Sequence, residues 1–238
     1  CRGPMQNLMS ALADRVPLQA IQHGPAGLWE TVDSLLVPLA EADPMTFEHS
    51  IGVAAFAAHC AGRMDWEARK VGQSVAAGLL HDVGKIAVPH RILYKPAKLT
   101  AAEWDELRQH PVHGDDLLAG VSLDADVRLA AAFHHERLDG SGYPFGVKGA
   151  DLSPLARLIA IADIVDAMAA DRPYRPGLSV SEIREALAAQ RDRGLDPGIV
   201  DLAVDCLETG YVDPRWSAIH LSIPRPVSEV LAPSSLDI

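Results

Sequence analysis

Hydrophobic positions recur along most of this chain at the spacing of a helix rather than a strand. The stripe His49, Val53, Phe56 and Cys60 steps i, i+4, i+7, i+11, which puts the His49 imidazole on the core face. Asp43-Pro44 ahead of it offers a cap and a proline for the first helical turn. A second helix is expected to start at Asp65, to carry Val71, Val75, Gly78, Leu79 and Asp82 on its apolar face, and to be stopped by Gly84. Residues 85–99, with Pro89 and Pro96, read as a loop. Thr100 and Glu103 form a capping box for a helix through Trp104 and Leu107 to His110, where Pro111 breaks or restarts it. Asp124 or Asp126 caps a helix with Val127, Ala131 and His134 in line, and residues 136–144 are too rich in Gly and Pro to be regular. Ser153-Pro154 opens a helix with Leu155, Ile159 and Asp163 on one stripe. Ser179 and Glu182 make a second capping box, and Asp196-Pro197 begins a last core helix ending near Gly210.

No alternating strand pattern or internal repeat stands out, so the expected fold is an all-α bundle. The expected organisation is an N-terminal helical extension over 1–42, a main domain over 43–210, and a Pro-rich tail over 211–238 laid on the surface.

Composition narrows the classes. The 238 residues are 48% hydrophobic and 22% charged, as in a globular domain. No apolar run approaches the roughly 18 residues of a membrane span, and no signal-peptide pattern opens the chain, so a cytoplasmic location is expected. A net charge of -11 argues against a nucleic-acid polymer as partner but leaves room for a small phosphorylated ligand held by a local Lys/Arg cluster. Cys1, Cys60 and Cys206 are an odd, scattered set that suits a reducing compartment, with Cys60 read as packing. Gly3-Pro4-Met5 resembles a protease-site remnant, so the first residues are given no functional reading.

Against this background seven residues stand out: His49, His81, Asp82, His110, His134, His135 and Asp163. A lone histidine on an apolar face is more often a satisfied core residue than a ligand. Here five of ten histidines fall at inward or helix-terminal positions, while His23, His59, His90, His113 and His220 lack such support. Asp163 lies between Ile159 and Ala167 on a buried stripe, where an unpaired carboxylate would carry a large desolvation cost. The adjacent pairs His81-Asp82 and His134-His135 sit at helix ends, where both side chains can turn toward one point. Imidazole and carboxylate together suit a first-row metal, and the donors suffice for two ions, a common device for cleaving phosphate esters. Lys85 follows Asp82 by three residues, and Arg172 and Arg175 follow the Asp163 helix, so all three are candidate phosphate handles.

The ordered set Leu79-Leu80-His81-Asp82-Val83-Gly84-Lys85, His110-Pro111-Val112-His113-Gly114, His134-His135-Glu136-Arg137, Asp139-Gly140-Ser141-Gly142-Tyr143-Pro144, Ile161-Ala162-Asp163 and Arg172-Pro173-Tyr174-Arg175 resembles the HD-GYP family over about residues 43–208. That family consists of all-helical, metal-dependent phosphodiesterases acting on the bacterial second messenger cyclic di-GMP. The resemblance implies an HD-type bundle with the metal site in its core. It implies that His49, His81, Asp82 and Asp163 hold one metal, and that Asp82 bridges to a second completed by His110, His134 and His135. Lys85 is implied to lie near the scissile phosphate, Gly142, Tyr143 and Pro144 to form a loop over the substrate, and Arg172 and Arg175 to grip phosphate. The implied cofactors are two divalent ions, iron or manganese ahead of nickel or magnesium, and the implied reaction is hydrolysis through a metal-bridging hydroxide to pGpG, with a second cleavage to GMP left open. A fused sensory domain or a protein partner is the expected source of control.

The pattern departs from the family at three places. Met45 stands where some members carry a Glu for a third metal, which favours two ions here. Leu138 replaces a loop Trp, and His90 stands where an acid is usual. A phosphodiesterase for cyclic GMP-AMP is the alternative enzyme, and a non-catalytic sensor or interaction module the alternative of another class.

Overall fold

A computed structural model describes residues 12, 15–16, 21, 28–171, 176–191, 193–211, 213 and 216. They form helices α1 (Leu28–Ala42), α2 (Pro44–Arg63), α3 (Ala68–Leu80), α4 (His90–Leu93), α5 (Ala101–Leu107), α6 (His110–Ala119), α7 (Ala125–Ala132), α8 (Pro154–Ala169), α9 (Val180–Gln190) and α10 (Pro197–Glu208). No strand occurs among the described residues; an isolated bridge joins Arg191 and Leu195. The all-α expectation holds. No described helix is long and apolar enough to cross a membrane.

Two helices form the centre. α2 is buried on nearly every side from Ser50 to Cys60, and α8 buries every residue from Leu158 to Ala169. A helix apolar all round belongs inside a bundle. α2 packs against α1, α3 and α8, while α8 also meets α7 and α10. Where α3 crosses α2, a Cβ on Gly78 would lie 2.6 Å from the Ala54 Cα, so the two backbones are in direct contact there. α1, within the segment expected as an extension, adds Leu28, Val32, Leu36 and Leu39 to the same core. Trp216, in the segment expected as a surface tail, is also buried, with its ring near Phe56 and Tyr211.

The capping signals act as the sequence suggests. Asp43, Thr100, Asp124, Ser153, Ser179 and Asp196 each accept a backbone N–H with the side chain, and Thr100 and Ser179 complete capping boxes with Glu103 and Glu182. Three expectations are corrected. Asp65 does not start α3; it holds a left-handed turn at φ 54°, and the helix begins at Ala68. Nor does Gly84 stop the helix. α3 ends at Leu80, and a 3-10 turn over Val83–Ala87 runs through Gly84. Its missing side chain serves packing instead, because a Cβ there would lie 2.0 Å from the His110 carbonyl oxygen and 2.4 Å from the Gly114 nitrogen. Residues 85–99, expected as loop, contain the end of that turn and the short α4.

Candidate metal centre

Five elements deliver the seven donor residues to one place: α2 brings His49, the end of α3 brings His81 and Asp82, the start of α6 brings His110, the end of α7 brings His134 and His135, and α8 brings Asp163. Donor atoms of His49, His81 and Asp163 lie within 4.8 Å of one another, as do those of His81, Asp82 and His134, and those of His110, His134 and His135. Asp82 sits between the groups. Its Oδ2 is 3.2 Å from His81 Nε2 and 3.8 Å from His49 Nε2; its Oδ1 is 3.2 Å from His110 Nε2 and 3.9 Å from His134 Nε2. Asp163 likewise turns Oδ1 to His49 Nε2 at 3.0 Å and Oδ2 toward His135 Nδ1 at 3.9 Å. His59, His90 and His113 join none of these groups, and His23 and His220 lie outside the described residues.

The local backbone aims the rings. His81, His110 and His134 each bond through Nδ1 to the carbonyl three residues earlier, Gly78 at 2.7 Å, Leu107 at 2.9 Å and Ala131 at 2.6 Å. That contact holds Nδ1 as the donor and turns Nε2 toward the centre, a common support for metal-binding histidines. His49 is oriented differently, with Nδ1 against Asp166 Oδ2 at 2.7 Å. Asp166 is fully buried on α8, and the sequence reading missed it. Its signal was present: it follows Asp163 by three positions on the same apolar helix.

The donors fit a cation. His81 Nε2, Asp82 Oδ1 and His135 Nδ1 are buried without a hydrogen-bond partner in the protein, and all three belong to the clustered groups. Orphaned polar atoms of this kind are rare in a finished interior. Charge is distributed unevenly among them. Burial opposes protonation of His49, but Asp163 and Asp166 outweigh it and raise its pKa from 6.5 to about 9. Burial also works against a charge on Asp82, yet Lys85 and His81 hold it well below its usual 3.8. Asp163 is lowered too, as His49 and His81 overcome its burial. His110 is lowered by burial; His134 is pushed down to about 3 by burial and the nearby His81 and His110, and His135 falls through burial and the nearby His134 and His110.

Beside this centre, the buried Lys85 donates Nζ to Asp82 Oδ2 at 2.8 Å. The Tyr143 ring stacks on His135, with centroids 4.6 Å apart and planes 23° apart, and the Arg108 guanidinium lies 5.1 Å from the Tyr143 centroid. Arg108 was not among the sequence candidates. Gly142 is required where the loop crosses the chain: a Cβ there would meet Glu136 Cα at 2.4 Å. Arg172 and Arg175 lie outside the described residues.

A family profile described as HD domain matches residues 33–199. The chain belongs to the HD-domain family. Its curated relatives support the HD-GYP branch. It is 38% identical over 180 residues to the cyclic di-GMP phosphodiesterase PA4108 of Pseudomonas aeruginosa, covering 75% of this chain and 42% of that one. It is 38% identical over 169 residues to the 3'3'-cGAMP-specific phosphodiesterase 2 of Vibrio cholerae, covering 70% and 31%. Among solved structures, Bd1817, an HDG"Y"P protein from Bdellovibrio bacteriovorus, superposes with TM-score 0.59 at 20% identity, covering 70% and 53%, which shows the shared fold. The chain thus spans less than half the length of these curated relatives.

Within the HD-GYP frame the departures are peripheral to the donors. Met45 is 48% exposed and carries no group for a hard cation, while Glu48 pairs with Arg15 at 3.5 Å. His90 stacks on Tyr94 at 4.4 Å. Leu138 is held through its backbone, donating to Gly194 and accepting from Gly149.

Proposed function

We propose that this chain is a metal-dependent phosphodiesterase that opens cyclic di-GMP to linear pGpG, with GMP as the product of a second cut. The observation that carries the reading is Asp82, whose two oxygens face different sets of imidazoles. We assign His49, His81, Asp82 and Asp163 to one divalent cation, and Asp82, His110, His134 and His135 to another. Iron or manganese suits such mixed donors, ahead of nickel or magnesium. Cations bound there polarise phosphoryl oxygens and activate a water.

The protein's own groups do the rest. Asp82, ionised well below neutral pH, is a permanent anion between the two imidazole sets. Lys85 places a fixed positive charge beside it, where charge builds on the scissile phosphate. We assign Gly142, Tyr143 and Pro144 to a loop over the substrate, with Tyr143 next to His135 for a base or phosphate, and Arg172 and Arg175 to gripping phosphate. We take the compartment to be the bacterial cytoplasm, with control coming from a fused sensory domain or a protein partner.

The relative named as specific for 3'3'-cGAMP, at 38% identity, favours cyclic GMP-AMP as the second substrate to test. A sensor or interaction module is less well supported, since all seven donor residues and Tyr143 are present. The test is anaerobic purification, metal quantification, and product chromatography with both dinucleotides. Linear dinucleotide from the native protein and none from Asp82→Ala is the expected result. A protein that binds no iron or manganese and leaves both dinucleotides intact would overturn the enzyme reading.

A further inference from the structure

We propose that Glu136 is a positioning residue that fixes the Tyr143 loop against the metal donors and so sets affinity for the dinucleotide; the inference rests on the phosphodiesterase reading above. Glu136 is only 2% exposed and directly follows the donor His135. Its Oε1 accepts two backbone N–H groups from the far side of the loop, Phe145 at 2.7 Å and Gly146 at 3.0 Å. Its Oε2 is buried with no hydrogen-bond partner in the protein.

The surrounding contacts show what this carboxylate controls. The Tyr143 N–H donates to the His135 carbonyl at 3.3 Å. Gly142 lies on the 135–137 backbone so closely that a Cβ would meet the His135 carbonyl oxygen at 2.5 Å and the Arg137 nitrogen at 2.6 Å. Both ends of the Gly142-Tyr143-Pro144 segment are therefore attached to the dipeptide His135-Glu136. One residue of that dipeptide offers its side chain to the metal cluster and the other offers its side chain to the loop. Phe145 packs edge-on against Phe133 at 5.6 Å, but it is 51% exposed, so this contact adds little hold. Without the carboxylate, the Phe145 and Gly146 N–H groups lose their acceptor and the Tyr143 ring loses its register over His135. The donors themselves keep their helices.

The experiment compares Glu136→Ala and Glu136→Gln with the native chain on cyclic di-GMP and on bis(p-nitrophenyl) phosphate, a small diester with no nucleobase for the loop to hold. Glu136→Ala should raise KM and the calorimetric Kd for cyclic di-GMP by about tenfold or more, the size of one charge-assisted hydrogen bond. Its kcat/KM on the small diester should fall far less, and its metal content should stay native. Glu136→Gln, which keeps an oxygen acceptor, should recover most of the affinity. Amide hydrogen exchange should show Phe145 and Gly146 losing protection in Glu136→Ala while Ala131 to His134 stay protected. Equal losses on both substrates, lost metal, or unchanged exchange at residues 145 and 146 would each overturn the proposal. If the native chain cleaves neither diester, the phosphodiesterase reading fails, and the exchange result still judges the anchoring by itself.

Discussion

The two halves of the donor cluster solve the same problem in opposite ways. His49 is held between two carboxylates, with Asp163 on Nε2 and Asp166 on Nδ1, so without a cation it keeps a proton up to a pKa of about 9. His110, His134 and His135 face mostly one another, and burial drives their protons off, with His134 down to about 3. One half is an ion pair waiting to exchange its proton for a metal. The other is a set of bare lone pairs. Cation binding at the first half must release a proton; at the second it need not.

Asp82 joins the halves, so its removal has the largest expected effect. Asp82→Ala should abolish cyclic di-GMP turnover, by about a thousandfold or more if the site acts as one unit. Product chromatography and metal analysis check this; residual activity near the native level would dissolve the link between the halves.

The titration of the metal-free protein sharpens the contrast. His49 binds its proton more tightly folded than unfolded, so its stabilisation is complete below pH 6.5, declines from 6.5 to about 9, and is gone above that. The full contribution is at most about 3 kcal/mol. His134 behaves oppositely: its folded pKa of about 3 means that stability is whole above pH 6.5 and declines as pH falls toward 3. Thermal melts of chelator-treated protein should peak near pH 6.5 and fall on both sides. A flat profile above pH 7 would contradict the ion-paired description of His49.

Smaller effects should separate by half. Asp166→Asn leaves the shape of the His49 contact but removes the negative charge on its Nδ1 side, and should weaken one metal equivalent by about 10–100-fold while sparing the other. Competition titrations with a chromogenic chelator resolve the two. Tyr143→Ala, beside the bare imidazoles, should raise KM for the dinucleotide by about tenfold with metal content unchanged.

How far these halves were legible in the sequence follows from what makes each one. His49 and Asp163 were visible because a polar side chain on an otherwise apolar helical stripe needs a partner. His81-Asp82 and His134-His135 were visible as pairs at helix ends. Asp166 shares the logic of Asp163, but its partner His49 lies 117 positions away, and nothing local to the helix marks the pairing. Nothing in the spacing of Glu136 reveals that Phe145 and Gly146 turn back to it. Gly84 was read as a helix stop because that is glycine's commonest local use. Its actual use is non-local: it lets the turn after α3 touch the start of α6. The fold class needed only periodicity and caps, whereas close backbone approaches depend on tertiary neighbours that no single segment encodes.

The donors His49 and Asp163 lie 114 positions apart, and the others come from three further elements between them. No stretch of the unfolded chain presents the set, so a cation has little to hold until the last element docks. An ion bound there would act as a latch rather than a nucleus, holding the assembled site together. By mass action each tenfold rise in free metal above its dissociation constant deepens the native well by about 1.4 kcal/mol. The abundance of this protein in a cell would then follow the supply of its metal as well as its rate of synthesis.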